Sequence, residues 1–260
     1  MIRIDCGGLA AENLADTAQI QGAYDCLMKD GFAILDHVVA EDKILALRAE
    51  FYQRYARYLA DQEVADTSQI GDRRYMAPLA FSGGFADPAV FANPYVIAVV
   101  REALEADAIL EAYGAIVALS GAAAQHFHRD SPLLFNSAIS AILPAYAVRL
   151  ALPLVEMNEL HGTTAIWPGS HRWTDLKTDL APQYPVVPIG SCLLWDFRLC
   201  HRGSENRSAE HRPMVHATYA RRWYHDPVNF EKKTLQRLIV EPQFLQGIPD
   251  DTRKLLSHVV

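Results

Sequence analysis

Apolar residues recur every three or four positions through much of the first third of the chain, which is the spacing of amphipathic helices. Asp16 is a suitable N-cap for the first predicted helix, and Gly31 is a suitable stop. A second helix is predicted from Glu41, and its apolar stripe consists of Ile44, Leu47, Phe51, Tyr55 and Tyr58. Asn93 followed by Pro94 predicts the start of a third helix. These stripes are expected to face a core.

Two segments of the first third do not follow the helical spacing. The apolar run GFAILDHVV, between the first two helices, predicts a short strand. Residues 73–88 contain several prolines and glycines, and this composition predicts an irregular loop. Such a loop could lie over a pocket.

From about Asp107 onward, the pattern changes to short β-type runs separated by turns. In AVRLALPLV, apolar Val148, Leu150, Leu152 and Leu154 alternate with their neighbours, the period of a sheet with two unlike faces. The other runs are AIVALS, TTAIW, YPVVPI, SCLLWDF and PMVHATYARRWY. Several short strands in this arrangement favour a β-sandwich or a jelly-roll barrel.

Composition and organisation indicate one globular domain. Half of the 260 residues (50%) are hydrophobic, which is enough to build a sizeable core. No internal repeat or low-complexity linker interrupts the sequence. We therefore expect a single domain over residues 1–260, with a mostly helical flank at 1–107, a jelly-roll core at 108–224 and a C-terminal extension at 225–260.

The charge balance narrows the set of partners. A formal net charge of -7 argues against a broad surface for nucleic acid or anionic membrane. The N-terminus lacks the pattern of a secretory signal, and no run of about 18 apolar residues is present to span a bilayer. The four scattered cysteines are typical of reduced thiols. We expect a cytoplasmic protein, a monomer or homodimer, that binds neither nucleic acid nor membrane.

The stretch AQHFHRDSPLLF carries the first candidate chemistry. In an extended strand, His126, His128 and Asp130 would share one face. A histidine and a carboxylate at this spacing can bind one divalent cation, which then needs a third ligand. His126 paired with His128, as in a cupin-like HxH site, is the alternative arrangement.

The downstream segment WDFRLCHRGSENRSAEHRP can complete the site. His201 lies in or at the end of a predicted strand, and Arg212 follows across the turn-like GSENRS. Two histidines and one carboxylate form the facial triad that suits non-haem Fe(II). The planar fork of an arginine suits a carboxylate, such as the far end of a dicarboxylic cosubstrate.

These segments, taken in order, resemble one known family. The H-x-D of 128–130, the PGSH of 168–171 and HRGSENRS followed by Arg212 are similar to the phytanoyl-CoA dioxygenase family of Fe(II)- and 2-oxoglutarate-dependent oxygenases. DGFAILDHVV and DPAVFANP share the likeness, which extends from about residue 20 to 224. The ordered combination carries the resemblance, and no single piece would suffice.

The resemblance implies a fold and a set of ligands. The fold would be a double-stranded β-helix, a jelly-roll of the cupin-like kind, in an α+β chain with a mainly β core and N-terminal helices packed on one sheet. His128, Asp130 and His201 match the iron ligands, and Arg212 matches the residue that holds the distal carboxylate of 2-oxoglutarate. Gln125 and Ser208 match polar cosubstrate contacts, although a turn-forming serine explains Ser208 equally well.

The same resemblance implies a reaction. Fe(II), 2-oxoglutarate and O2 would be required, with ascorbate as a supporting reductant. The default outcome is hydroxylation of an unactivated C–H bond in a small molecule, such as a natural-product intermediate. Asp130 argues against halogenation, because a small residue replaces this carboxylate in halogenating relatives. Desaturation, cyclisation and endoperoxide formation stay open.

Substrate contacts are the least constrained part of the hypothesis. Candidates are Arg74 and Met76 in the predicted loop, Phe135 after the first ligand pair, and Trp167. The acidic balance disfavours an acyl-CoA substrate with its several phosphates. Two other functions stay open: a cupin-like metalloenzyme without 2-oxoglutarate, which Arg212 argues against, and a non-catalytic small-molecule-binding barrel.

Overall fold

A computed structural model of the protein describes residues 3–7, 17–62, 64–177, 179–231 and 234–259. The alternating residues of the second half form strands, and most of the N-terminal stripes form helices. The strands are β1 (Arg3–Asp5), β2 (Phe32–Asp36), β3 (Ser68–Gly71), β4 (Arg74–Pro78), β5 (Ile109–Ala118), β6 (Ala147–Pro153), β7 (Thr164–Ile166), β8 (Cys192–Asp196), β9 (His201–Gly203) and β10 (Arg212–Ala220). The helices are α1 (Ala18–Asp30), α2 (Glu41–Arg54), α3 (Pro88–Phe91), α4 (Pro94–Leu104), α5 (Pro242–Gly247) and α6 (Asp250–Leu255).

Eight strands form the main sheet, in the order β1-β2-β8-β6-β10-β5-β4-β3. The β1–β2 pair is parallel and the other neighbours are antiparallel. At the centre, β10 pairs with β5 on one side and β6 on the other, so that Thr218 lies opposite Arg149 of β6. The alternation read from AVRLALPLV thus belongs to an interior strand.

A second, smaller sheet faces the first. Strands β7 and β9 pair directly, and isolated bridges add His128 beside His201 and Gln183 beside Ile166. Apolar residues of both sheets pack in the space between them, among them Ile34, Met157, Ile166, Leu193 and Met214. Two facing sheets with a mainly antiparallel order confirm the predicted jelly-roll class.

The N-terminal helices cover the outer face of the main sheet. Ile20 and Leu27 of α1, Phe51 of α2 and Val100 of α4 are buried in one cluster with the outward side chains of β5, β6 and β10. The α+β architecture with helices on one sheet is therefore confirmed. Among the described residues, no helix is long and apolar enough to cross a membrane.

Local signals account for the helix ends. Gly31 ends α1 in a left-handed conformation with φ of 84°, which glycine adopts without strain. Asn93 caps α4 by accepting a hydrogen bond from Tyr95 N, with Pro94 in the first turn as predicted. The N-cap of α1 is Thr17, whose hydroxyl accepts from Ile20 N. Asp16, the predicted cap, lies outside the described residues.

Two sequence predictions are wrong in detail. The segment 73–88 is not wholly a loop, because Arg74–Pro78 forms β4, which pairs with β5. Its proline stands at the last position of the strand, where the missing N–H does not interrupt the ladder. The run YPVVPI forms no strand, and only Val187 makes an isolated bridge, to Met157.

Candidate metal centre

Backbone pairing brings the two halves of the site together. His128 N donates to His201 O at 3.0 Å, and His201 N donates to His128 O at 2.9 Å. This exchange sets the two imidazole rings side by side, with centroids 4.5 Å apart. The stretch around His128 contributes only this one bridge, rather than the strand expected from its alternation.

Asp130 completes a cluster with these two histidines. One possible ligand atom from each of His128, Asp130 and His201 lies within 4.8 Å of the others, which is close enough for all three to hold one metal ion. Asp130 Oδ1 is 3.8 Å from His201 Nε2. The His126 ring lies 5.3 Å from that of His128 but is not a member of this cluster.

Hydrogen bonds orient both imidazoles. His128 Nδ1 lies 2.9 Å from the carbonyl of His126, and His201 Nδ1 lies 2.9 Å from the carbonyl of Leu199. When Nδ1–H donates to these carbonyls, Nε2 is left unprotonated as a metal ligand. Burial, followed by the charge of His201, lowers the pKa of His128 to about 4, so this imidazole is neutral at ordinary pH.

Asp130 is held in its ionised form. Burial alone would raise its pKa, but Arg149 first and then His201 and His128 outweigh that effect, and the pKa lies below its usual value. Trp195 Nε1 donates to Asp130 Oδ2 at 2.8 Å, and Arg149 Nε is 3.3 Å from the same oxygen. These contacts occupy Oδ2 and leave Oδ1 toward the histidines.

A second set of polar residues lies at the end of the site near Gly203. Arg212 is buried, and its Nη1 makes a weak hydrogen bond to Met214 Sδ at 3.4 Å; among the described residues its Nε has no partner. Burial, together with the charge of Arg74, lowers the pKa of Arg212 to about 9. A buried guanidinium without a carboxylate is costly, so this end of the site is suited to an anion.

Arg74 and Gln125 flank this anion-binding end of the site. Arg74 is buried on β4, and its Nη2 donates to the Ser204 carbonyl at 2.7 Å while its Nε has no partner. Gln125 Nε2 donates to the Ile70 carbonyl at 2.6 Å, and its Oε1 accepts from Gly203 N at 3.0 Å. Arg74, a substrate candidate in the sequence, therefore lies at the Arg212 end of the site.

One cavity of about 300 Å³ contains the triad and the arginines. This volume is at the low end of the range for small-molecule sites. Its apolar walls are made of Ile70, Met76, Ile116, Met214 and Val228. Met76, a predicted substrate contact, thus lines the cavity.

Three predicted site residues do not line this cavity. Ser208 Oγ donates to Asn206 Oδ1 at 2.7 Å and accepts from Glu210 N, which is the turn role weighed against a cosubstrate contact. Phe135 is 52% exposed and borders a separate apolar groove. Trp167 packs edge-on against Phe127, 4.5 Å away between centroids, in a small cluster with Cys200.

Several cavity residues were missed by sequence reasoning. Trp195 rather than Trp167 is the tryptophan of the cavity, because its strand position sends it inward opposite Arg149. Val228 and Asn229 come from the predicted C-terminal extension, and Asn229 Nδ2 donates to the main-chain carbonyl of Asp130 at 2.8 Å. No local pattern marks these two residues, since neither lies in a motif or a periodic run.

A buried ionic network fixes the segment that carries Val228 and Asn229. Asp226 accepts hydrogen bonds from Val228 N, Asn229 N and Asn229 Nδ2. Asp226 N donates to Glu111 Oε1, and Arg237 bonds both Glu111 Oε1 and the Asp226 carbonyl. The chain after β10 is therefore part of the site and not only an extension.

The donor set fits the groups that the sequence implied. Two imidazoles with free Nε2 atoms and one ionised carboxylate suit a divalent transition metal with open coordination positions. The unpaired guanidinium of Arg212, with Arg74 beside it, suits the carboxylate of a dicarboxylic acid. The possible metal ligands and the two arginines line the same cavity.

Comparisons with known proteins agree with this geometry. The sequence model of the family described as phytanoyl-CoA dioxygenase (PhyH) matches residues 27–214. Dioxygenase aneA of Aspergillus aculeatus is 37% identical over 111 residues, which are 38% of this chain and only 37% of that relative. Dioxygenase olcK of Penicillium canescens is 23% identical over 207 residues, covering 75% of this chain and 68% of that relative.

A solved structure supports the fold. The non-heme alpha ketoglutarate dependent epimerase SnoN from nogalamycin biosynthesis superposes with a TM-score of 0.60 at 17% sequence identity. The match covers 83% of this chain and 89% of that protein. At this level of identity the likeness speaks for the architecture alone.

Proposed function

Because this chain belongs to the phytanoyl-CoA dioxygenase family, we propose that it is an Fe(II)- and 2-oxoglutarate-dependent dioxygenase. The observation that carries the proposal is the buried, unpaired guanidinium of Arg212 in the same cavity as the His128, Asp130 and His201 cluster. A metal site alone would not need a second, cationic end. A dicarboxylic cosubstrate would use both the metal site and the cationic end.

In the proposed assignment, His128, Asp130 and His201 hold Fe(II), and Arg212 holds the distal carboxylate of 2-oxoglutarate. Arg74 adds a second positive charge at that end, while Gln125 keeps the Gly203 main chain in place through its 3.0 Å bond. When bound, Fe(II) with 2-oxoglutarate and O2 supplies the oxidising power. The protein supplies orientation and a partly apolar enclosure.

The residues around the metal position have distinct tasks. The carbonyls of His126 and Leu199 fix the two imidazole orientations, and Trp195 fixes the Asp130 carboxylate. Met76, Ile116 and Met214 line the cavity with apolar surface, which limits water near the reacting C–H bond. Rigid placement of the substrate then decides which bond is oxidised.

We propose hydroxylation of a small molecule as the outcome. The carboxylate of Asp130 occupies the position that a halogenating enzyme would leave open, which supports oxidation over halogenation. The cavity volume supports a small substrate. Ascorbate is expected to sustain turnover by keeping the iron reduced.

The proposed enzyme is a single catalytic domain over 1–260. In support, β1 and β2 of the flank share one sheet with the core, and Asn229 of the C-terminal part reaches Asp130. We also propose a cytoplasmic location, which the four free cysteines support. A monomer or homodimer is expected, and light scattering on the purified protein measures this.

Two measurements test the activity. Anaerobic addition of 2-oxoglutarate to the Fe(II)-loaded protein should give an absorption band that requires both components. A metabolite screen with Fe(II), ascorbate and 2-oxoglutarate, read by succinate formation, should then identify substrates. Asp130→Ala should lose the band and the succinate, whereas Asp107→Ala, at an exposed acid, should keep both.

Other outcomes would select another function. Metal binding without a 2-oxoglutarate-dependent band would favour a cupin-like metalloenzyme. Reconstituted protein without stoichiometric iron would favour a non-catalytic binding barrel. Succinate formation at the normal rate by Asp130→Ala would contradict the ligand assignment.

A further inference from the structure

Arg149 is a buried cation whose only charged contact in the described part of the chain is Asp130 of the proposed iron site. It lies on β6, lines the cavity and is 2% exposed. Its Nε and Nη2 have no hydrogen-bond partner among the described residues, and its nearest charge is Asp130 Oδ2, 3.3 Å from Nε. The guanidinium also lies over the Phe197 ring at 5.1 Å. A buried guanidinium with free donors is costly unless a ligand satisfies it.

Arg149 lies far from the end of the site that suits 2-oxoglutarate. It pairs with Thr218 of β10, six residues along that strand from Arg212, so the two main-chain positions are about 20 Å apart at 3.4 Å per residue. The charged neighbour of Arg212 is Arg74, not Arg149. The two arginines therefore enter the cavity from strand positions far apart along the main sheet.

The metal position lies between the two cationic ends. Near Arg212, Gln125 forms hydrogen bonds with the main chain of Gly203. Three residues later, His128 forms main-chain hydrogen bonds with His201. Asp130 follows, in contact with Arg149. A cosubstrate that extends from Arg212 to the metal would therefore leave the donors of Arg149 free on the far side.

The charges of the cavity also favour another anion. Three buried arginines, Arg74, Arg149 and Arg212, line it, and Asp130 is its only acidic lining residue in the described part of the chain. A divalent metal and a dianionic cosubstrate cancel each other, so the three buried arginines exceed the carboxylate by two positive charges, and Arg129, which also lines the cavity, adds another. Glu111 also interacts with the charge of Arg149, but its stronger cationic partner is Arg237, which donates a hydrogen bond to Oε1.

From this arrangement we infer that Arg149 binds a carboxylate of the substrate, so that the enzyme oxidises a small organic acid. The inference rests on the proposed function, since it names the substrate class of the same site. The planar fork of Arg149 can donate two parallel hydrogen bonds to a carboxylate. That pair would hold the C–H bond to be oxidised at a fixed distance from the metal position.

Matched acids and amides test the inference. The full chain is loaded with Zn(II) and N-oxalylglycine, an unreactive 2-oxoglutarate analogue, so that the metal position and the Arg212 end are filled. Calorimetry then compares 3-phenylpropionate with 3-phenylpropanamide and hexanoate with hexanamide. Each acid is expected to bind about tenfold or more tightly than its amide. Arg149→Met should abolish this preference, and Arg149→Lys should retain part of it because the charge remains.

Three results would overturn the inference. They are equal affinity of acid and amide for the wild type, no measurable binding of either acid, and survival of the preference in Arg149→Met. Because Arg149→Met also removes the contact with Asp130 Oδ2, the acids and amides are compared only on variant protein that is fully loaded with Zn(II).

The loading step separates the two proposals. If the wild type binds Zn(II) and N-oxalylglycine but does not prefer acids, the inference about Arg149 fails and the proposed function stands. If the wild type cannot be loaded at all, the proposed function itself fails.

Discussion

Trp195 donates its indole N–H to Oδ2 of Asp130 at 2.8 Å, and this bond determines which carboxylate oxygen faces the two histidines. Trp195 lies on β8 and Asp130 follows the bridge at His128, so the bond ties the main sheet to the smaller sheet. The metal position is therefore built across both layers of the jelly-roll.

Trp195→Phe should weaken metal binding by about tenfold to a hundredfold, because a lost hydrogen bond frees the carboxylate to rotate. Calorimetric titration with Zn(II) or Fe(II) measures the effect. Trp167→Phe is the matched control, since its indole donates to the Leu180 carbonyl away from the cavity. Equal metal affinity for both variants would show that Trp195 does not orient Asp130.

Arg212→Ala should raise the 2-oxoglutarate concentration needed for half-maximal turnover by about tenfold to a hundredfold. The reason is loss of a charge-assisted pair worth about 1.5 to 3 kcal/mol. Titration of the anaerobic absorption band gives the same constant without turnover. Arg207→Ala, at an exposed arginine paired with Glu159, should leave the constant unchanged. An unchanged constant in Arg212→Ala would remove the cosubstrate role from that residue.

Glu111 predicts a pH-dependent difference in stability. Burial raises its pKa to about 7, despite the opposing hydrogen bond from Asp226 N and charge of Arg237. A raised carboxyl pKa favours the protonated folded form, so this stabilisation is present below about pH 4.5 and is lost as the pH rises to about 7. The free energy of unfolding of the wild type, relative to Glu111→Gln, should therefore fall over that window.

Urea unfolding at about pH 5 and about pH 8 measures this difference. Both proteins share every other titrating group, so subtraction isolates Glu111. A difference that stays constant, or that grows toward high pH, would show that the ion pair with Arg237 outweighs burial and keeps Glu111 ionised.

Asp226→Ala should loosen the segment that carries Val228 and Asn229, because three hydrogen bonds end on that carboxylate. Amide hydrogen exchange at residues 228 and 229 should accelerate by about tenfold or more, while β10 exchanges as before. Asp226→Asn keeps an acceptor oxygen and should show a smaller change. Unaltered exchange in the alanine variant would mean that other contacts hold this wall of the cavity.

Much of the site could be predicted because its chemistry is encoded by short spacings. The H-x-D of 128–130 and the interval from His201 to Arg212 can be recognised in the amino-acid sequence. The structure brings these four residues to one cavity. Alternation in AVRLALPLV indicated a strand for the same reason, since residues two apart share one face of a strand wherever that strand lies. The prediction of a loop over residues 73–88 was wrong for Arg74–Pro78, because the prolines and glycines of the segment obscured a strand of only five residues.

Other site residues depend on register between distant strands. In the sequence, Arg149 is only one of the residues that alternate with leucines, and it becomes a cavity cation because β6 pairs with β8 and β10. Trp195 lines the cavity and Trp167 does not, because pairing of β8 with β6 sets Trp195 opposite Arg149.

The sequence by itself determined the donor types, the strand and helix periods and the order of the ligand motif, because these depend on neighbours along the chain. Tertiary structure alone decided that Asn229 reaches Asp130, that Arg74 joins Arg212, and that Arg149 has free donors beside the metal position. The physical reason is that burial and charge pairing are set by residues far apart in the chain, whose proximity exists only in the folded state.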